Sequence, residues 1–180
     1  MSIEDAAPPV EVARTARLRL RELQYADAAF IRELVNDPAW LRFIGDRHVH
    51  SDDDARGYID RILCGHYARY GFGLWAVEAL ATGEAAGLCG LIRRDALEHP
   101  DLGFAFLERH RGLGYAREAA GAVVGLARER FGFTVLFAIT NTDNIASQKV
   151  LEHVGFRFDR RLDWAETGEV LWLYRQEFPS

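Results

Sequence analysis

The apolar positions change their period several times along the chain, and each change marks an element. Leu18-Arg19-Leu20-Arg21 alternates with period two, which predicts a strand within Thr15 to Leu23. After Tyr25-Ala26-Asp27 the period becomes helical, with Phe30, Ile31, Leu34 and Val35 on one face, until Asn36-Asp37-Pro38 stops it. A mixed stretch runs from Trp40 to His50. Ser51-Asp52-Asp53-Asp54 reads as a helix start, with acids at the positive end of the dipole. That helix should run to about Tyr70 and stop at Gly71-Phe72-Gly73. Three strands follow, over Leu74 to Leu80, Ala86 to Arg93 and Asp101 to Leu107, the first two joined at Thr82-Gly83. Ala116, Ala119, Ala120, Val123, Leu126 and Ala127 restore the helical period. Thr134 to Thr140 is a continuously apolar strand of the kind buried on both faces. Asn144 opens a last helix closed by Gly155, and Phe156 to Phe158 and Val170 to Phe178 are the final strands.

This order predicts an α+β fold: a mixed, mostly antiparallel sheet flanked by helices, with at least one parallel crossover. Residues 1–14 read as a flexible N-terminal tail and residues 15–180 as a single domain. A chain of 180 residues can bury a sizeable core without staples. The net charge of −5 speaks against a generic nucleic-acid binder, so no nucleic-acid partner is expected. No apolar run approaches the roughly 18–20 residues of a membrane span, and the N-terminus lacks the apolar stretch of a signal peptide. A cytoplasmic protein with no membrane partner is the expectation, either monomer or homodimer. Cys64 and Cys89 both sit among apolar neighbours and read as buried free thiols. No CxxC or HExxH occurs, and no metal is expected.

The segment richest in chemistry is Arg109-His110-Arg111-Gly112-Leu113-Gly114-Tyr115-Ala116. It follows a strand and opens a helix, the setting in which glycines let backbone N–H groups approach an anion at the positive end of a helix. Arg109 and Arg111 add cationic charge. A plain strand-to-helix turn would use the same glycines for positive φ. No GKS or GKT follows, so the turn is not a P-loop. A dinucleotide fingerprint would need glycine where Arg117 stands.

Arg109-x-x-Gly112-x-Gly114 resembles the cofactor motif of the GCN5-related N-acetyltransferase superfamily. The extension Gly114-Tyr115-Ala116-x-Glu118-Ala119 and the block from Asn141 to Phe156 are similar to the branch that contains the ribosomal-protein alanine N-acetyltransferases. Asn36-Asp37-Pro38 and Asp101-Leu102-Gly103-Phe104 match further parts of that branch, and the likeness covers about Thr15 to Phe178. The resemblance implies a sheet whose central strands splay apart. It also implies acetyl-CoA as cosubstrate, with its pyrophosphate on the backbone of Arg111, Gly112, Leu113, Gly114, Tyr115 and Ala116. The pantetheine arm would pair with Phe104, Ala105 and Phe106, and Asn144 and Ser147 would face it. Helix geometry supports the last point, because Asn144, Ser147, Leu151 and Val154 share a face. Asn144 could equally be only an N-cap, and Ser147 could bond back to its own helix.

Acetyl transfer needs a neutral amine, a polarised carbonyl and a stabilised thiolate. A terminal amine, with a pKa of about 7.7–8.0, needs less help from a base than a lysine amine at about 10.4. Asp101, on the cofactor strand, is the candidate base, acting through a water; a solvated strand-end acid is the plain alternative. His110, His48 and His50 are weaker candidates. Many relatives place a tyrosine general acid where this chain has Leu151, and in the resembling branch a serine at the position of Ser147 is the proposed substitute. Trp40, Phe43, Tyr58, Tyr67 and Phe72 are candidate acceptor-site walls or plain core. Asp46, Asp52, Asp53 and Asp54 could attract a basic acceptor or simply cap a helix. The acceptor, a protein N-terminus or a small amine, stays open. The alternatives are a non-catalytic acyl-CoA-binding regulator, which Leu151 alone favours, and a methyltransferase, disfavoured because no acid ends a following strand to hold a ribose.

Overall fold

The structure is a computed structural model that describes residues 7–179. Its strands are β1 (Glu11–Arg14), β2 (Leu18–Arg21), β3 (Leu74–Ala79), β4 (Ala85–Ile92), β5 (Asp101–Phe106), β6 (Val135–Asn141), β7 (Arg157–Trp164) and β8 (Glu169–Glu177). Its helices are α1 (Ala28–Val35), α2 (Pro38–Phe43), α3 (Asp52–Ile62), α4 (Ala68–Tyr70), α5 (Tyr115–Glu129) and α6 (Ile145–His153). The strands form one sheet in the order β1-β2-β3-β4-β5-β6-β8-β7, antiparallel at every step except β5 to β6.

The two faces of the sheet sort the helices. One face presents Leu18, Leu20, Trp75, Val77, Cys89, Leu136 and Ala138 to α5 and α6. α5 meets it with Ala119, Ala120, Val123 and Ala127, small side chains that let the helix lie close. The other face buries Ala76 and Leu88 against Ile31 and Leu34 of α1, Trp40 of α2, and Ala55 and Ile59 of α3. Each fully buried aliphatic contributes about 1.5–3 kcal/mol. In β2 the alternation places Leu18 and Leu20 in the core, while Arg21 is neutralised by Asp27 at 2.9 Å and Glu78 at 2.8 Å.

Several predicted boundaries needed correction. Part of the expected N-terminal tail is a strand: β1 pairs with β2, and Glu22 N–H donates to Val10 O at 2.9 Å. The rest of that tail, Met1 to Ala6, lies outside the described residues. Pro38 does not simply end a helix. It opens α2 at the first helical position, where its missing N–H is harmless, with Asp37 as cap accepting from Ala39 N–H at 2.9 Å. Ser51 caps α3 as expected, in a reciprocal box with Asp54. The helix that follows is interrupted by a π-turn over Leu63–Tyr67 before α4 ends at Gly71, whose φ is +76°. Cys64 sits on that turn and is exposed, against expectation, while Cys89 is buried. α6 ends at Gly155 as predicted, with a φ of +103°. Among the described residues no helix is long and apolar enough to cross a membrane.

Candidate active site

The parallel step of the sheet, between β5 and β6, opens into a fork. β5 and β6 meet where Asp101 faces Phe137, and Phe137 N–H donates to Pro100 O at 2.9 Å. Among the described residues this is the one ladder pair between the two strands. On its other edge β5 pairs fully with β4. Leu107 N–H donates to Ala86 O at 3.0 Å, so antiparallel alternation assigns Asp101, Gly103 and Ala105 to the bonds with β4. The N–H and C=O groups of Leu102, Phe104 and Phe106 are left facing the fork. Phe106 O fits this parity, because it accepts from Arg111 Nε at 3.0 Å. Phe104 and Phe106, expected to pair with the arm, thus have their backbone groups on this open edge, the Phe106 carbonyl already occupied by Arg111. Ala105 lines the cleft, but its backbone belongs to β4.

A cleft of about 860 Å³ runs through the fork. At the end towards which β5 runs it is lined by Arg111, Gly112, Gly114, Tyr115 and Ala116. Gly112 and Gly114 have φ of +75° and +82°, a left-handed conformation that favours glycine. Among the described residues, the N–H groups from Gly112 to Arg117 have no hydrogen-bond acceptor. These amides, at the start of a helix long enough to carry a dipole, fit a pyrophosphate without any side-chain charge. Glu118 holds the turn in place: it accepts from Thr15 Oγ1 at 2.6 Å, Arg17 N–H at 2.9 Å and Arg17 Nε at 2.7 Å. Arg17 Nη1 also donates to Leu113 O at 2.8 Å.

The arginines divide. Arg111 faces the cleft and pairs with Asp37 at the N-terminus of α2. Arg109 does not fill the role expected from its place in the motif. Its guanidinium is taken by Glu33 at 2.5 Å and Glu84 at 2.6 Å, and it does not line the cleft. Leu113 is 48% exposed and also lies off the cleft, so it can contribute backbone only. His110 is buried beside Tyr115, with Nε2 at 3.4 Å from Glu84.

Along the middle, α6 supplies Asn144, Ser147 and Leu151 to the cleft wall. Asn144 is an N-cap, its Oδ1 accepting from Ser147 N–H at 3.2 Å. The Ser147 hydroxyl makes no back-bond, and among the described residues it has no partner. Thr140, on β6, lines the same wall; it is 8% exposed and its Oγ1 is buried without a partner. Sequence reading passed over Thr140, because a threonine in an apolar strand looks like strand propensity.

At the apex of the fork Asp101 is 1% exposed and lines the cleft. Burial pushes its carboxyl up to about 6, and Arg94, whose Nε lies 3.0 Å away, holds it from going higher. It is not the solvated strand-end acid of the plain reading. The lining also takes in Trp40, Phe43 and Arg47 from α2 and the loop after it, Tyr58 of α3, Arg94, and Trp164, Glu166 and Glu169 from the end of β7 through the turn to the start of β8, with Arg94 over the Trp164 ring. Tyr67 and Phe72 are core. Asp46, Asp52, Asp53 and Asp54 stay off the cleft, occupied by His48, Arg32, Arg56 and the α3 cap. His48 and His50 lie off it too, their ring nitrogens within 4.8 Å of each other and of Asp46 on an exposed loop.

A fork between parallel strands with a bare-amide turn at one end is the geometry of an acyl-CoA transferase, and comparison with known proteins gives the same class. Residues 17–157 match the family model described as an acetyltransferase (GNAT) domain. The chain belongs to this family and is an acetyl-CoA-dependent N-acetyltransferase. An uncharacterized protein of Bacillus subtilis, YkkB, is 30% identical over 82% of this chain and 86% of its own. The FsC-acetyl coenzyme A-N(2)-transacetylase of Aspergillus fumigatus is 27% identical over 91% and 75%. The solved RimL ribosomal L7/L12 alpha-N-protein acetyltransferase in complex with coenzyme A shares the fold, with a TM-score of 0.78 at 19% identity over 91% and 95%.

Proposed function

We propose that the enzyme acetylates a primary amine, of a protein N-terminus or a small molecule, by direct attack in a ternary complex held in the fork. Acetyl-CoA supplies the activated acetyl thioester. The free amides from Gly112 to Arg117 bind its pyrophosphate, and the fork-facing N–H and C=O groups of Phe104 and its neighbours pair with the arm. An N–H on the same edge polarises the thioester carbonyl. Asp101 accepts the proton that the ammonium must lose, directly or through a water, and the freed amine lone pair forms the C–N bond as the C–S bond breaks. The Ser147 hydroxyl donates a hydrogen bond to the departing sulfur, which leaves as thiolate and takes up the second proton, the one the attacking nitrogen sheds as it becomes an amide. The observation that carries this reading is the fork itself. Its unpaired backbone edge connects a row of bare amides to a buried carboxylate that is ionised at neutral pH.

The test begins with calorimetric titration of acetyl-CoA, desulfo-CoA and ATP, followed by CoA release over a panel of amines. Micromolar acetyl-CoA binding and turnover with at least one amine are expected. Ser147→Ala should lower kcat about tenfold and leave KM in place, the loss of one hydrogen bond made in the transition state. Binding with no transfer to any amine would favour a regulatory domain, and absence of binding would remove the reading.

A further inference from the structure

The acceptor end of the cleft carries charges that the transfer chemistry does not use. Arg94 binds Asp101 through Nε alone. Its terminal nitrogens have no partner among the described residues. Arg47 forms no ion pair or hydrogen bond among the described residues, and it lines the same end of the cleft. Tyr58 stands within the field of both arginines, and its hydroxyl has no partner among the described residues. Trp40 is 5% exposed, and its indole N–H, a donor only, is buried without an acceptor. Of the two other arginines that line the cleft, Arg111 is paired with Asp37, and Arg117 stands at the cofactor end in the first turn of α5.

Resting on the acetyltransferase reading above, we infer that the acceptor is a small amine bearing an anionic group beside its nitrogen, in the simplest case an α-amino acid. Its carboxylate is held by Arg47, Arg94 and the neighbouring Tyr58 and Trp40 donors. The Arg94–Asp101 pair presents a cation and an anion side by side. An α-amino acid presents the opposite pair, with its carboxylate towards Arg94 and its ammonium towards Asp101, where it loses its proton. The remaining wall, Phe43, Ile44 and Trp164, is apolar and suits the side chain. Glu166 and Glu169 also line this end and pull the other way. Both are exposed, as Arg47 is, so these three charges are solvated and weak, and the more enclosed Arg94 with the neutral Tyr58 donor sets the preference beside Asp101. A polyamine would set its second cation against the arginines.

The experiment compares kcat/KM for the common amino acids with that for their α-amides, with putrescine as a dication. The α-amine of an amide is less basic than that of the free acid, so on amine chemistry alone the amides are the better acceptors. The inference requires the opposite: the favoured amino acid should beat its amide by at least tenfold, mostly in KM, the size of one charge-assisted hydrogen bond. Arg47→Gln should lower that ratio about threefold, Arg47→Lys should restore part of it, and Arg69→Gln, an exposed arginine off the cleft, should leave it unchanged. Amides or putrescine acetylated as well as the acids would overturn the anionic acceptor and leave acetyl transfer standing. Acetyl-CoA binding without transfer to any of these or to a wider amine panel would overturn both.

Discussion

The two ends of the cleft are built from different materials. At the cofactor end recognition is made of backbone: the bare amides from Gly112 to Arg117 and the unpaired edge of β5. Its side chains work from behind, as when Glu118 fastens the turn through Thr15 and Arg17. At the acceptor end recognition is made of side chains, Arg47, Tyr58, Arg94 and Trp164, drawn from two loops, a helix and the end of β7. A backbone site depends on conformation and tolerates change in most side chains. A side-chain site changes its ligand with one substitution. One fold can therefore keep a constant donor while its acceptors diverge.

The sharpest way to break this contrast is to put charge on the backbone site. Asp and Asn both tolerate the left-handed conformation that Gly112 holds at φ +75°, and a Cβ there meets nothing within 4 Å. Gly112→Asp and Gly112→Asn therefore differ only in charge. A like charge beside a pyrophosphate costs several kcal/mol, so the Asp variant should lose about 10³-fold in acetyl-CoA affinity by calorimetry. Asn should lose less than about tenfold. Equal losses in the two would mean that shape, and not exposed amides, governs this end.

The next effect in size falls where the two ends meet. Asp101→Asn keeps the shape of the apex and removes the base, and kcat/KM should fall about 10²-fold. In the parent enzyme kcat/KM should rise with pH through about 6, as the buried carboxyl ionises, and the Asn variant should lack that acid limb. The same group sets a stability trend. Burial raises its folded pKa above the unfolded value, so the folded chain binds more protons between about pH 4 and 6 and loses stability as pH rises across that window. Asp101→Asn removes this loss, and Arg94, 28% exposed, keeps part of its hydration. Its melting temperature at pH 7.5 should therefore be no lower than that of the parent. A pH profile identical to the parent's would take the role of base from Asp101.

How much of this was readable in the sequence follows the same division. Glycines at positive φ, a strand before them and a helix after them are local facts, so the turn, the strand facing it and the caps of α3 and α6 were legible. Arg109 was misjudged because nearness in sequence suggested a phosphate partner. Its actual partners, Glu33 and Glu84, lie 76 and 25 residues away and are brought in by the fold. Cys64 was misjudged because apolar neighbours in sequence do not say which way a side chain faces, and on the π-turn this one faces out. β7 runs to Trp164, well past Phe158, because Asp159-Arg160-Arg161 on an exposed strand shows no apolar alternation. Arg47, Arg94 and Thr140 carry no motif. Their meaning comes only from what they face.

The smallest predicted effect separates a ligand contact from a structural one by its sign. The Thr140 hydroxyl is buried and unpartnered, which destabilises the protein unless something in the cleft bonds it. Thr140→Val keeps the shape and removes the hydroxyl. The ligand-free variant should melt at the same temperature or slightly higher, since no internal hydrogen bond is lost. With acetyl-CoA bound the order should reverse. The variant should bind about two- to tenfold more weakly, the net worth of one hydrogen bond, and gain less in melting temperature at saturating ligand. If Thr140→Val instead lowers the melting temperature of the free protein and leaves acetyl-CoA affinity unchanged, the hydroxyl serves the core. The arm would then be held by the β5 edge alone.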